Sequence, residues 1–329
     1  LTLQWRAAPL VRWGLVWPAL WLLIEWSFSL GDLAMPWLRL GQLQAPSGPF
    51  ASALPFGGAL LAGACMWVTA AGIAVAWRLR HRAALAPVLV LPAAGVTAAQ
   101  LVWTEPAGPL AARLVQPGLS SDQRQSESAV QALLRHYRDA VANSQAALVV
   151  TPQLALPKTA AALPPGYLDG VARIASQRQA DLMLGLFAEG QDGGLHNAVL
   201  SLGASGTQRY LKHQLFPFGE FVPWRAWIGR WMNASMGVAL QDTSRGPGEA
   251  EPLRVGGHRA AVAVCFEAAF GNAWRNQAAA ADLLVNVSSD GSIVSPQVSR
   301  QFLQMTQTRA LEFQKPLLRS SDVNGSYAI

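Results

Sequence analysis

Two stretches carry residue types that could do covalent chemistry. In Val262-Ala-Val-Cys265-Phe-Glu267, a β-branched run ends on a thiol, with a carboxylate two positions on. In Tyr210-Leu-Lys212-His-Gln-Leu-Phe-Pro217-Phe-Gly-Glu220-Phe-Val-Pro223, a lysine precedes a Pro-Phe-Gly-Glu turn. Only a thiolate attacks well, so a nucleophilic cysteine needs a neighbouring charge or base. A lysine can stabilise a thiolate or a developing oxyanion, and a carboxylate can move protons. Each residue also has a plainer reading. Cysteine at a strand end is often a small buried hydrophobe, and lysine is usually solvated. Glu220 could simply hold the Pro-Gly turn. Glu267 fits a supporting role, orienting backbone or lysine near the thiol.

The elements that must position these groups follow from the pattern beyond residue 111. The alternation predicts strands at Arg113–Gln116, Ala147–Val150, Leu182–Phe187, Ala260–Val264 and Ala281–Val287. His196–Leu202 and Gln208–Leu211 read as a hairpin around Gly203-Ala-Ser-Gly206. Helical spacing covers Ser126–Val141, Leu168–Gln179 and Gln297–Gln314. Strands alternating with helices imply an α/β sheet whose reactive groups sit at the carboxyl ends of strands. Gln153, Cys265 and Ser288–Asp290 all follow strand-like runs, so one sheet edge could collect them.

The first 104 residues are different. Apolar runs at Leu10–Leu30, Leu54–Trp77 and Ala83–Trp103 each approach the ~20 residues that cross a bilayer. Trp13, Trp17, Trp21 and Trp26 crowd the first run, and small residues such as Gly57, Gly58, Gly63 and Gly72 mark the second. The basic connection Arg78-Leu-Arg80-His81-Arg82 predicts a cytoplasmic loop, which sends everything after Trp103 to the opposite side. Arg6 and Arg12 agree with that orientation. Glu25 lies inside a span, where an ionisable residue is either functional or satisfied near the interface by Arg12 or water.

Composition narrows the class. The chain has 329 residues, a net charge of +6 and only two cysteines, with a mean hydropathy of +0.22. Its basic residues are scattered rather than striped, which argues against nucleic acid as a partner. Cys65 and Cys265 lack metal-ligand spacing, so no metal or other cofactor is expected. The two sit in different contexts, and a disulfide between them is not expected.

The order of motifs resembles the nitrilase (carbon–nitrogen hydrolase) superfamily and, within it, the apolipoprotein N-acyltransferases. The resemblance runs through Tyr210–Pro223, Val262–Phe270, Asp282–Asp290 and Met305–Ser320, with Glu25-Trp26 and Pro36–Gly41 in the membrane half. It implies a nitrilase-like αββα sandwich over 111–329, preceded by a transmembrane helical region over 1–104. It also implies a Glu-Lys-Cys triad. Cys265 would be the nucleophile and Lys212 the oxyanion or thiolate stabiliser. Glu220 would be a second carboxylate, and Phe266 and Glu267 supporting or substrate-binding residues. The implied reaction moves a fatty acyl chain from a phospholipid, through a cysteine thioester, to the N-terminal amine of a diacylglyceryl-cysteine lipoprotein. The implied location is the bacterial inner membrane, with the catalytic domain on the periplasmic side. The family has more spans, one of them after the catalytic domain, so the chain reads as a segment of a longer protein, truncated at the C-terminal end of that domain.

Two departures stand out. Where the family has Pro-Glu in its first catalytic motif, this chain has Thr151-Pro152-Gln153. Glutamine has no proton to exchange near neutral pH and cannot be a general base. The site is therefore either divergent or disabled, as in an impaired relative that binds lipoprotein or lipid without turnover. Where the family has Ser-Asn-Asp-Ala-Trp-Phe-Gly, this chain has Ser288-Ser-Asp290-Gly-Ser-Ile-Val294, and a family tryptophan is missing near Gln125.

Overall fold

The computed structural model describes residues 11–37, 39–120, 122–190, 193–227, 242–291 and 295–329. Arg6, Leu10 and the 292–294 part of the divergent loop lie outside the described residues. The chain divides into two compact units, one running to Glu105 and including Gln307–Gln314, the other comprising Pro106–Thr306 and Lys315–Ile329.

In the first unit, helix α1 (Trp17–Ser27) continues a turn of wider helix over Arg12–Val16. Helix α2 (Leu54–Leu79) breaks its helical geometry at Gly57 and Gly58. Gly58 has φ +63°, and a Cβ there would sit 2.8 Å from the Glu312 carboxylate. Only glycine allows both the turn and that approach. Among the described residues, one helical stretch, Ala51–Leu79, is long and apolar enough to cross a membrane. The third apolar run is shorter than its composition implies. Helix α3 spans Ala86–Ala98 and stops before Trp103. The backbone beyond it is engaged elsewhere, since Gln314 accepts from Trp103 N–H (2.7 Å) and donates to Leu101 C=O (2.8 Å). Glu25 does not pair with Arg12. Its Oε1 accepts from Trp21 Nε1 (2.8 Å) and Leu40 N–H (3.0 Å), and Arg39 is its charged neighbour.

The second unit holds two five-stranded mixed sheets. The first has the order β1 (Ala112–Leu114), β2 (Leu148–Val150), β3 (Asp181–Glu189), β4 (Leu195–Gly203), β5 (Gln208–Leu211). The second has the order β10 (Tyr327–Ala328), β9 (Leu317–Ser321), β8 (Leu283–Ser288), β7 (His258–Val264), β6 (Leu253–Val255). In each sheet three parallel strands carry antiparallel partners at one or both flanks.

Side-chain alternation explains the layering. Val149, Leu182, Leu184 and Leu186 face helices α4 (Glu127–Ala142) and α5 (Tyr167–Gln177) through Leu133, Leu134, Tyr137, Val171 and Ala175. The intervening positions Leu148, Val150 and Met183 face the other way, onto Val262, Val264, Val285 and Val287 of the second sheet. Strands buried on both faces read as apolar runs rather than as alternation. Helix α4 starts where Ser126 Oγ accepts the Ala129 N–H, with Glu127 in the first turn. Helix α6 (Gly271–Ala279) packs beside β7, and α7 (Pro296–Phe313) leads into β9.

Candidate active site

Cys265 follows β7 directly and begins a short 3-10 turn, Cys265–Ala269. Its φ is +55°, a conformation that costs a non-glycine residue about 1–3 kcal/mol and persists only where surroundings enforce it. Part of the enforcement comes from Glu267. Its Oε2 accepts from Val264 N–H (2.7 Å) and Tyr210 O–H (2.9 Å), and its Oε1 from His213 N–H (2.8 Å) and Gln214 N–H (2.9 Å). This buried carboxylate pins the end of β7 to the chain leaving β5. Burial pushes the Glu267 carboxyl up, against the pull of Lys212 and these donors. Phe266 is buried edge-on between Phe216 and Phe270, so the residue next to Cys265 belongs to the packing.

Lys212 comes one residue after β5 and is 1% exposed. Its backbone is held by Asn197 C=O (2.8 Å) on β4 and by Gly246 N–H (2.7 Å). Its Nζ meets Glu220 Oε2 at 2.7 Å. Glu220 also accepts from Asn197 Nδ2 (3.0 Å) and Phe216 N–H (2.8 Å). Burial alone would lower the lysine's pKa, but Glu220, Cys265 and Glu267 outweigh it and hold the ammonium charged. The thiol is pushed up, first by burial and then by Asp290 and Glu220, against the opposing charge of Lys212. The lysine does not offset burial at the thiol, so a nucleophilic role for Cys265 would call for a separate proton acceptor.

Gln153 does not supply one. It sits in the loop after β2, 7% exposed, and its Oε1 accepts from Ser289 N–H (3.2 Å). Arg124 braces the loop by donating to Gln153 C=O (3.2 Å) and Leu154 C=O (2.7 Å). The loop lies so close to β3 that a Cβ on Gly185 would fall 2.2 Å from Pro152 C=O. A cleft of about 350 Å³ opens beside it, lined by Arg124, Gln125, Leu154, Pro157, Lys158 and Phe187.

The structure thus brings Cys265, Lys212, Glu220 and Glu267 together, and ties Gln153 to the loop following β8. Ser288 and Asp290, expected at the same sheet edge, belong to a second group whose ion-pair partners Arg319, Arg124 and Asp322 sequence reasoning passed over. The Ser288 hydroxyl favours the charged form of the Cys265 thiol and donates to Asp290 Oδ1. Asp290 Oδ2 pairs with Arg319 Nη2 at 2.5 Å, and Arg319 also donates to Asn286 Oδ1. Asn286 Nδ2 in turn donates to Ala263 C=O (3.0 Å) and Cys265 C=O (3.1 Å). Arg124 pairs with Asp322 at 2.6 Å, and Asp322 Oδ1 accepts from Asp290 N–H (2.7 Å) and Gly291 N–H (3.0 Å). The signal for this group was polar residues inside otherwise apolar strand patterns.

A partly buried thiol at positive φ, opposite a buried lysine–glutamate pair at the ends of two sheets, agrees with the family comparison. Residues 111–329 match the family model described as carbon–nitrogen hydrolase. The chain belongs to the carbon–nitrogen hydrolase family. Among curated proteins, it is similar to an apolipoprotein N-acyltransferase of Nitrosomonas europaea, 34% identical over 320 residues, covering 93% of this chain and 63% of that protein. It is likewise 34% identical over 327 residues to one of Chromobacterium violaceum, covering 98% of this chain and 63% of that protein. The chain therefore spans somewhat less than two thirds of the length of these carbon–nitrogen hydrolase relatives. Among solved structures, it aligns with a carbon–nitrogen hydrolase of Helicobacter pylori G27 at TM-score 0.45 and 16% identity, over 65% of this chain and 73% of that one.

Proposed function

We propose that this chain is the larger part of a membrane-bound acyltransferase. In this reading residues 1–104 are a transmembrane region, and 111–329 form an αββα catalytic domain on the periplasmic side of the bacterial inner membrane. Cys265 takes an acyl chain from a phospholipid as a thioester and passes it to the N-terminal amine of a diacylglyceryl-cysteine lipoprotein. A thioester divides one difficult acyl transfer into two easier ones. Lys212 stabilises the oxyanion, with Glu220 holding the lysine in place. The observation that carries the reading is the Cys265–Lys212–Glu220 arrangement in a chain whose curated relatives bear the acyltransferase name. The long apolar stretch Ala51–Leu79 and the Arg78–Arg82 connection support the membrane placement.

Purified protein in phospholipid micelles should accumulate an acyl adduct on Cys265 that hydroxylamine releases. A reporter fused after Gly108 should behave as extracytoplasmic. Absence of the adduct, or a cytoplasmic reporter signal, would overturn the reading. Gln153 favours one alternative, a relative that binds lipid or lipoprotein without turnover. That alternative predicts phospholipid binding with no adduct.

A further inference from the structure

The chains that leave β2, β8 and β9 meet at one ion pair. Arg124 and Asp322 are 1% and 0% exposed and lie 2.6 Å apart. The guanidinium uses both nitrogens of its fork. Its Nη1 donates to Gln153 C=O (3.2 Å) and Leu154 C=O (2.7 Å), and its Nη2 to Ser289 Oγ (2.8 Å) and Asp322 Oδ2. Ser289 Oγ passes its own proton to Asp322 Oδ2 (2.7 Å). Asp322 Oδ1 accepts from Asp290 N–H (2.7 Å) and Gly291 N–H (3.0 Å), and its backbone C=O from Gly118 N–H (2.9 Å).

The segments held this way border the thiol. Thr151 stitches the start of the Gln153 loop to β3, donating from its N–H to Met183 C=O (3.0 Å) and accepting Gly185 N–H on Oγ1 (3.1 Å). Leu154 then turns to φ +47°, a conformation that persists only where the surroundings enforce it, and Arg124 grips its carbonyl. On the other side Ser289 N–H reaches Gln153 Oε1 at 3.2 Å. Ser289 follows Ser288, and Val287 pairs with Val264 in parallel β8 and β7. The chain gripped by Asp322 therefore leaves β8 beside the chain that carries Cys265 out of β7.

We propose that Arg124 and Asp322 are positioning residues of the acyl-transfer site; this rests on reading Cys265 as the nucleophile. The pair sets how far the Gln153 loop stands from the strand ends at Cys265. Buried as they are, the two side chains act through the loops they hold and not on the substrate.

The test uses the full chain in phospholipid micelles, with two readouts: amide hydrogen exchange and thioester formation. Arg124→Lys keeps a positive charge beside Asp322, but an ammonium lacks the planar fork that reaches two carbonyls, a hydroxyl and a carboxylate at once. Exchange should quicken by at least about tenfold at the Ser289, Asp290 and Gly291 amides and stay as slow as in the parent along β7 and β8. Thioester formation at saturating phospholipid should fall by about 10²-fold, the cost of roughly 1 Å of misplacement. The phospholipid KM should stay within about threefold of the parent's, because no binding contact is lost. Unchanged exchange at the three amides would overturn the proposal. So would exchange that quickens evenly through β7 and β8, since the pair would then only hold the fold together. Loosened amides with an unchanged thioester rate, or a raised KM at an unchanged maximal rate, would overturn it as well. If Arg124→Lys does not fold, Ser289→Ala removes the hydroxyl shared by Arg124 and Asp322, and the same readouts decide at about tenfold. A parent chain that forms no thioester sinks the acyl-transfer reading, while exchange at the three amides still decides whether the pair holds the loops.

Discussion

Two buried charge clusters flank the thiol, and they balance differently. Around Lys212 one cation faces Glu220 and Glu267, with the thiol as a third neighbour. Around Asp290 the charges cancel in pairs, Asp290 with Arg319 and Asp322 with Arg124. The lysine is outnumbered, so its positive charge is mostly spent on carboxylates. It cannot pull the thiol below its ordinary pKa against burial, Asp290 and Glu220. The lesson is that a lysine beside a cysteine does not by itself make a thiolate. In the proposed mechanism it serves the oxyanion, and the thiol's proton needs an acceptor other than the lysine.

The comparison can be broken at four points. The largest effect falls on the thiol. Cys265→Ser should abolish the hydroxylamine-sensitive adduct, while Cys65→Ser, altering a residue in the long apolar helix, should leave it nearly intact. Equal loss in both would remove Cys265 as sole nucleophile.

Next is the lysine cluster. Lys212→Met strands Glu220 and Glu267 without their cation, and losing one partner of a buried pair costs about 3–5 kcal/mol. Denaturant unfolding should register that loss. The same variant removes the one charge that favours the thiolate, so the thiol's pKa should rise further. In the parent, Cys265 alkylation should keep climbing as pH rises through the ordinary thiol range near ~8.5, because the folded value lies above it. In Lys212→Met the curve should shift to still higher pH. A plateau below pH 8 in either form would contradict the geometry.

A smaller gain is expected from Gln153→Glu. A carboxylate there supplies a second base, and general-base assistance is worth ~10²–10⁴-fold when it is wholly absent. If Glu220 partly substitutes, the gain in thioester formation falls to or below the bottom of that range, at least about tenfold. A rate no faster than the parent's would mean that the existing carboxylates suffice or that the divergent loop limits the site. The smallest effect belongs to an exposed pair. Arg259 and Asp282 meet at 3.5 Å, with the arginine side chain 58% exposed. Arg259→Ala should change stability by less than about 1 kcal/mol, which calibrates the two buried clusters against the surface.

Legibility in the sequence followed the range of the interactions. The helix starting at Ser126, the strand run ending at Val150 and the hairpin around Gly203–Gly206 are local patterns, and the structure has elements there. The Lys212–Glu220 pair is eight residues apart on one turn, so a short motif could point to it. The third apolar run looked span-length from composition, yet the helix stops at Ala98, and Gln314, more than two hundred residues away, binds the chain beyond it. Strands β6 and β9 and helix α6 were not anticipated. Leu253–Val255 is too short to show a period, and Leu317–Ser321 mixes apolar residues with an arginine and serines.

What the sequence determined by itself was the inventory: a thiol after a β-branched run, a lysine before a Pro-Phe-Gly-Glu turn, a glutamine where a base is usual, and the family. Those are properties of residue type and near-neighbour spacing. Only the tertiary structure decided which charges surround the thiol. Asp290 is tied to Arg319 across 29 residues and Arg124 to Asp322 across 198. Neither spacing repeats or signals anything along the chain. Parallel strand register aligned Cys265 with Ser288, and burial excluded the water that would otherwise have solvated each charge alone.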